Sequence, residues 1–150
     1  MMLATLVALC DGPSSQAAEV QASNFTAKAE IRAVMAAQVS AWNHGDIDGF
    51  MNGYARSEST EFMSGDKLTR GWQTVRDRYK KKYDSREKMG TLTFSELKIT
   101  QLGVDVALVI GRWQLARQGD KPHGRFTLLF RRLSDGWRIV HDHTSAAEPR

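Results

Sequence analysis

The segment GWRIVHDHTS, residues 136–145, alternates with a period of two and ends the last regular stretch of the chain. On an extended strand, Trp137, Ile139, His141 and His143 fall on one side, with Val140, Asp142 and Thr144 on the other. Ser134-Asp135-Gly136 ahead of it is turn chemistry. The same period continues upstream through Arg125 to Leu133, Val104 to Arg117 and Thr91 to Leu102, with Asp120-Lys121-Pro122-His123-Gly124 as a second turn. Thr91 to Leu102 starts with Leu92 and Phe94 on one face and goes on with Leu97 and Ile99 on the other, which predicts a bulge near Ser95 and Glu96.

Ahead of these strands the spacing is helical. Ile31, Val34, Met35, Gln38 and Trp42 form one stripe, with Asn24 or Thr26 expected to cap its start and Gly45 to end it. Asp46 is expected to N-cap a short second helix whose stripe is Ile47, Phe50, Met51 and Tyr54. A short strand around Thr60 to Met63 turns through Ser64-Gly65-Asp66 into Lys67 to Thr69. Gly71 then opens a third helix with Trp72, Val75 and Tyr79 on one face. The order α-α-β-β-α-β-β-β-β predicts an α+β fold, a curved, mainly antiparallel sheet wrapped around three N-terminal helices.

The strand Val104 to Arg117 is apolar on both faces as far as Arg112, so both faces need cover. The helices supply one cover. A second copy of the chain is expected to supply the other, in a homodimer whose contact is carried by Phe126, Leu128, Phe130 and Trp113.

At 150 residues, 41% hydrophobic and 25% charged, the chain has the composition of one globular domain. The net charge of +4 favours anionic partners weakly. Seven basic residues lie between Arg76 and Lys88, but Asp77, Asp84 and Glu87 dilute them and no recognition motif accompanies them. They are read as a solvated helix face, with no nucleic-acid partner expected.

Residues 1–23 are read as a signal peptide and leader, 24–147 as the domain and 148–150 as a tail. Met1 to Leu9 is apolar, and Ser15-Gln16-Ala17 fits a small-x-small cleavage site, so a secreted or periplasmic location is expected. The segment before the apolar run lacks Lys or Arg. Two other readings of the leader stay open: a degenerate lipoprotein box, Val7-Ala8-Leu9-Cys10, with a lipid anchor at Cys10, or a tail on a cytoplasmic protein. Cys10 is the single cysteine, so the domain has no disulfide and no thiol chemistry.

Three stretches carry a resemblance: Trp42 to Phe50, the helix after Arg70-Gly71-Trp72, and Gly136 to Ser145. Together they resemble the nuclear-transport-factor-two-like superfamily, in its SnoaL-like and calcium/calmodulin-dependent kinase two association-domain branches, over Ala29 to Ser145. The resemblance implies a cone-shaped roll with a cavity between the concave face of the sheet and the helices, and dimerisation through the convex face. Superfamily relatives with ketosteroid isomerase activity place a tyrosine on the first helix, a general base on the first strand and a second acid on a late strand. Gln38, Phe62 and Leu129 fall at those places here, which argues against steroid isomerisation. Arg112 matches one of the cavity arginines of the kinase branch, while Thr127 and Thr144 stand where others would be.

The expected pocket set is Gln38, Trp42, Tyr54, Trp72, Arg112 and Thr127, with Asp142 as the candidate catalytic carboxylate. Gln38 interrupts an apolar stripe, where an unpartnered amide costs roughly 1–3 kcal/mol, so it either bonds a backbone group or faces a wet cavity. Arg112 and Asp142 are expected to form a buried pair, unless Asp142 is left free to act as a base. His141 and His143 share a face but lack a third ligand, so no metal is expected. No nucleotide-binding loop, cofactor fingerprint or nucleophile elbow is present, so no cofactor is expected. Three functions remain open: a small-molecule-binding domain; a cofactor-independent isomerase, lyase or cyclase; and a non-catalytic oligomeric scaffold.

Overall fold

Glycines and short polar turns divide the chain where the spacing predicts. The structure, a computed structural model, describes residues 14–147. Its elements are α1 (Ser14–Asn43), α2 (Ile47–Met51), β1 (Glu61–Ser64), β2 (Lys67–Arg70), α3 (Trp72–Lys82), α4 (Arg86–Met89), β3 (Thr91–Gly103), β4 (Val106–Ala116), β5 (His123–Leu133) and β6 (Gly136–Thr144). The strands form one curved mixed sheet in the order β2-β1-β6-β5-β4-β3, antiparallel except where β1 runs parallel to β6. Among the described residues the helices number four rather than three, because Ser85 caps the single turn of α4, which is too short to show a period in sequence.

Asp46 caps α2 as expected, its carboxylate accepting from the Gly49 N–H at 2.8 Å. Gly45, at φ +80°, turns the chain out of α1, and Gly71, at φ +89°, turns it into α3. The start of α1 differs from expectation. Asn24 and Thr26 lie inside the helix, and the Thr26 hydroxyl bonds back to the Ala22 carbonyl at 3.0 Å. The run from residue 14 to 43 is rich in alanine and holds neither glycine nor proline, so nothing in it breaks the helix. Packing begins later, at Ala27, and continues through Ile31, Met35, Gln38 and Trp42, whereas Val20 and Phe25 stay exposed. Residues 1–13, with Cys10, and 148–150 lie outside the described residues. Among the described residues no helix is long and apolar enough to cross a membrane.

Two bulges decide which side chains face the helices. In β3 the pairing shifts between Ser95 and Lys98, with Glu96 at φ 52°, as expected. The extra residue returns Leu97 and Ile99 to the face of Leu92 and Phe94, so that all four join the core. In β6 the pairing with β5 skips Val140: Phe130 faces Ile139 and Leu129 faces His141. Trp137 and Ile139 therefore share the inner face with Asp142, a correction to the strict alternation read from sequence.

The inner face of β4 and β5 carries Ala107, Val109, Leu115, Phe126, Leu128 and Phe130, all buried against the helices. Each large apolar side chain so buried contributes roughly 1.5–3 kcal/mol. Phe126, Leu128, Phe130 and Trp113 thus belong to the interior rather than to a contact with a second copy. The outer face carries Leu108, Ile110, Thr127 and Leu129 instead, with Ile110 39% exposed.

Candidate functional site

The helices do not fill the hollow of the sheet, and a part-open cavity of about 120 Å³ remains. Aromatic residues are the largest group in its wall. Trp42 stands edge-on to Phe50 at 5.1 Å and to Tyr83 at 4.8 Å between centroids, and Phe62 meets Tyr79 at 5.5 Å. From the sheet, Phe94 meets Phe126 at 5.3 Å. Gly111 makes room for that pair, since a Cβ there would stand 2.4 Å from the Phe126 ring. The Trp42 indole N–H is spent on the Met89 carbonyl at 3.1 Å, so this residue offers the cavity an apolar face only.

One carboxyl group interrupts this wall. Asp142 lines the cavity and is 3% exposed. Its Oδ2 accepts from the Tyr54 hydroxyl at 2.6 Å and its Oδ1 from the Thr144 hydroxyl at 2.6 Å. Burial pushes the Asp142 carboxyl up to about 6, against the opposing pull of these two hydroxyls. Burial, and then the neighbouring Asp142 charge, raise Tyr54 and Tyr79 well above the ordinary phenol value. Both tyrosines therefore remain neutral hydroxyls at physiological pH. A carboxyl group that titrates near neutrality beside neutral phenols in an apolar chamber is suited to taking and returning a proton.

Gln38 does both things expected of it. Its Nε2 donates to the Phe50 carbonyl at 3.2 Å, and the residue lines the cavity. That bond sets the amide's orientation and leaves Oε1 buried without a partner.

Three expected pocket residues lie elsewhere. Arg112 projects from the outer face of β4, where it and Arg125 share Glu96 at 4.0 and 2.8 Å. It does not neutralise Asp142. Thr127 is also on the outer face, opposite Ile110 and His143. Trp72 lies outside the cavity: its N–H donates to the Met51 carbonyl at 2.9 Å, and the Arg56 and Arg76 guanidinium groups lie 4.4 and 5.9 Å from its ring centroid. On β5 it is Leu128, not Leu129, that lines the cavity, so the register assumed for a late-strand acid is off by one. His141 points outward to Glu61, with Nδ1 3.0 Å from Oε2. Among the described residues no cluster of three metal-ligating side chains occurs.

Arg78, Lys82 and Tyr83 line the cavity without being among the expected pocket residues, and so does Tyr79, expected on a core stripe. The four-residue spacings 78/82 and 79/83 bring them to the same end of α3 and its C-cap. The surrounding basic run hides that spacing.

Comparison with known proteins agrees with this fold. Residues 31–149 match the model of the SnoaL-like domain. A solved NTF-2-like protein of unknown function from Shewanella oneidensis is 39% identical, with 79% of this chain and 98% of that one covered and a TM-score of 0.76. An NTF2-like protein with a cystatin-like fold from Novosphingobium aromaticivorans shares the fold at 17% identity, covering 94% of each chain with a TM-score of 0.70. A ketosteroid isomerase-like protein from Erwinia carotovora atroseptica does so at 19% identity, covering 81% of this chain and 96% of that one with a TM-score of 0.64. No curated protein matches. With the family model spanning most of the chain and a close solved relative of the same fold, this chain belongs to the SnoaL-like domain family.

Proposed function

We propose that this domain admits a small, largely apolar organic molecule to its aromatic cavity and exchanges a proton with it through Asp142, as a cofactor-independent isomerase, lyase or cyclase. One observation carries the reading: Asp142 is buried in the cavity wall with two hydroxyl partners and, among the described residues, no ion-pair partner. A carboxylate kept for structure alone is normally paired, because leaving it unpaired in a low dielectric is costly. As a base, Asp142 takes a proton from a carbon next to a carbonyl group, the electron pair passes to the carbonyl oxygen, and the proton returns at another position. Tyr54 holds the carboxyl group in place, and the neutral Tyr79 hydroxyl is the donor for the developing oxyanion.

Aromatic ketones incubated with the protein in D₂O test this. Exchange of the α-hydrogens, followed by proton NMR, is expected to rise with pH through a midpoint near the Asp142 value of about 6. It is expected to fall by at least ~100-fold in Asp142→Asn. A ketone that binds but never exchanges sinks the acid–base role and leaves binding without chemistry. That second reading is favoured by the two hydroxyl bonds that already occupy both Asp142 oxygens. The scaffold reading is the least supported, since the chain's own side chains leave about 120 Å³ unfilled.

The proposal includes a second copy on the outer face around Leu108, Ile110 and Leu129. Ile110→Glu is expected to convert a dimer to a monomer in light scattering, and a wild-type monomer would remove this part. It also includes export, which N-terminal sequencing of protein from its own source tests: a start at Met1 or Met2 would count against it.

A further inference from the structure

Among the described residues that line the cavity, Asp142 is the one carboxylate, and the other two charged side chains are cations, Arg78 and Lys82. They are one turn apart on α3, and Tyr79 and the C-cap residue Tyr83 line the cavity with them. Arg78 is half-buried and held: its Nη1 donates to the buried Thr69 hydroxyl at 2.7 Å, and its guanidinium group lies 4.8 Å from the Phe62 ring centroid. Lys82 is exposed, with its ammonium group 5.2 Å from the Tyr83 centroid. On the same helix Arg76 and Lys80 both pair with Asp48. Neither Arg78 nor Lys82 has a carboxylate partner among the described residues. Of the charged lining groups, Asp142 is buried, Arg78 half-buried and Lys82 exposed.

From this arrangement we propose that the cavity's ligand is an amphipathic carboxylate, its flat apolar body against the rings and its carboxylate turned outward to Arg78 and Lys82. The proposal rests on the reading of the cavity as a small-molecule site and adds the charge and direction of its occupant. A held guanidinium group offers a carboxylate a fork of N–H donors without first having to be ordered. The opposite orientation would put the ligand's charge against Asp142 in a low dielectric. The ligand's neutral end is thereby delivered to Asp142 and Tyr54. The cavity is close in size to the ~150 Å³ apolar cavity known to accept one benzene ring, so the body is one ring, or two with part in the mouth.

Matched pairs test the inference: phenyl-, naphthyl- and indolylacetic acids, each against its primary amide, titrated by saturation-transfer NMR into wild type, Lys82→Gln and the Arg78→Gln/Lys82→Gln double variant. Wild type is expected to bind the acid about tenfold tighter than the amide. The double variant is expected to bring acid and amide to parity with amide affinity unchanged, which also shows that the cavity is intact. If the double variant loses the amide too, Lys82→Gln alone decides, since its side chain is exposed, and it must cut the preference by about threefold. Equal binding of acid and amide by wild type overturns the carboxylate inference and leaves the small-molecule site standing. A preference that survives in the variants overturns it as well. If no member of any pair binds wild type, the small-molecule reading falls and this inference with it.

Discussion

Asp48 and Asp142 are the same side chain in opposite company. Asp48, on the outside of α2, is 55% exposed and is held by Arg76 and by Lys80 at 2.8 Å. Hydrogen bonds from these two cations lower its carboxyl to about 2. Asp142 is buried, has two hydroxyl partners and no ion-pair partner among the described residues, and is raised to about 6. The first has the arrangement of a charge kept for surface cohesion. The second is costly to hold ionised at neutral pH, and a fold keeps a group of that kind where chemistry or binding needs it.

The largest test of the contrast is stability against pH in Asp142→Asn. The native carboxyl group holds its proton up to about pH 6, whereas the unfolded one releases it near ~4. Between those values the native state binds more protons than the unfolded state, so this group's contribution falls as pH rises. Below the unfolded value it costs nothing; above about 6 the full penalty, on the order of 2–3 kcal/mol, is in force. Asparagine keeps an acceptor for Tyr54 and removes the charge. Urea melts are therefore expected to show the variant more stable than wild type by about 2 kcal/mol at pH 8, with the difference vanishing near ~4.5. A variant less stable at pH 8 would mean that the ionised carboxylate ties Tyr54 to Thr144 for structure, and the contrast with Asp48 would break.

A smaller effect is expected from Tyr54→Phe, which removes the donor to Asp142 Oδ2 but keeps the ring in the wall. The loss of a hydrogen bond to a buried charged acceptor is expected to cost about 1–2 kcal/mol at pH 8 and less at pH 5, where the carboxyl group is largely protonated. Carbon-13 NMR of the Asp142 carboxyl is expected to show its midpoint moving above the wild-type value of about 6. An unmoved midpoint would mean that the hydroxyl does not set the charge state.

Lining residues on helices are more legible in the sequence than those on the sheet. The stripes of Gln38, Trp42 and Tyr54 show only that these residues face inward, and the cavity they line is implied by the resemblance; a helical face tolerates an error of a residue at either end. Arg112 and Thr127 were put on the wrong face. A strand has two faces, and where both are apolar, as in β4, alternation cannot say which one meets the helices. The bulge near Glu96 was legible because the apolar phase changes there. The skip at Val140 was not, since the apolar Val140 gives no break in pattern and the shift shows only against the facing strand. Strict alternation puts Asp142 opposite Trp137 and Ile139, whereas the skip brings all three onto the inner face. The pairing of side chains could not be read at all: Arg112 found Glu96, and Asp142 found Tyr54, 88 positions away.

The smallest effect is expected at Asp48, and it sharpens the comparison by its weakness. Its lowered carboxyl contributes stability that is present above the unfolded value near ~4 and is lost as pH falls toward the native value of about 2. The sign is opposite to that of Asp142. Half the side chain is in water, however, so solvent screens most of the attraction to Arg76 and Lys80. Asp48→Asn is expected to lower stability at pH 7 by less than ~1 kcal/mol, and by less again at 0.5 M salt, which weakens exposed ion pairs further. Paired urea melts at low and high salt read both quantities. An Asp48→Asn loss that is large and indifferent to salt would show that Asp48 works through packing between α2 and α3. The opposition between a surface charge and a chamber charge would then have to be restated as one between two structural carboxylates, with the case for Asp142 chemistry resting on the D₂O exchange alone.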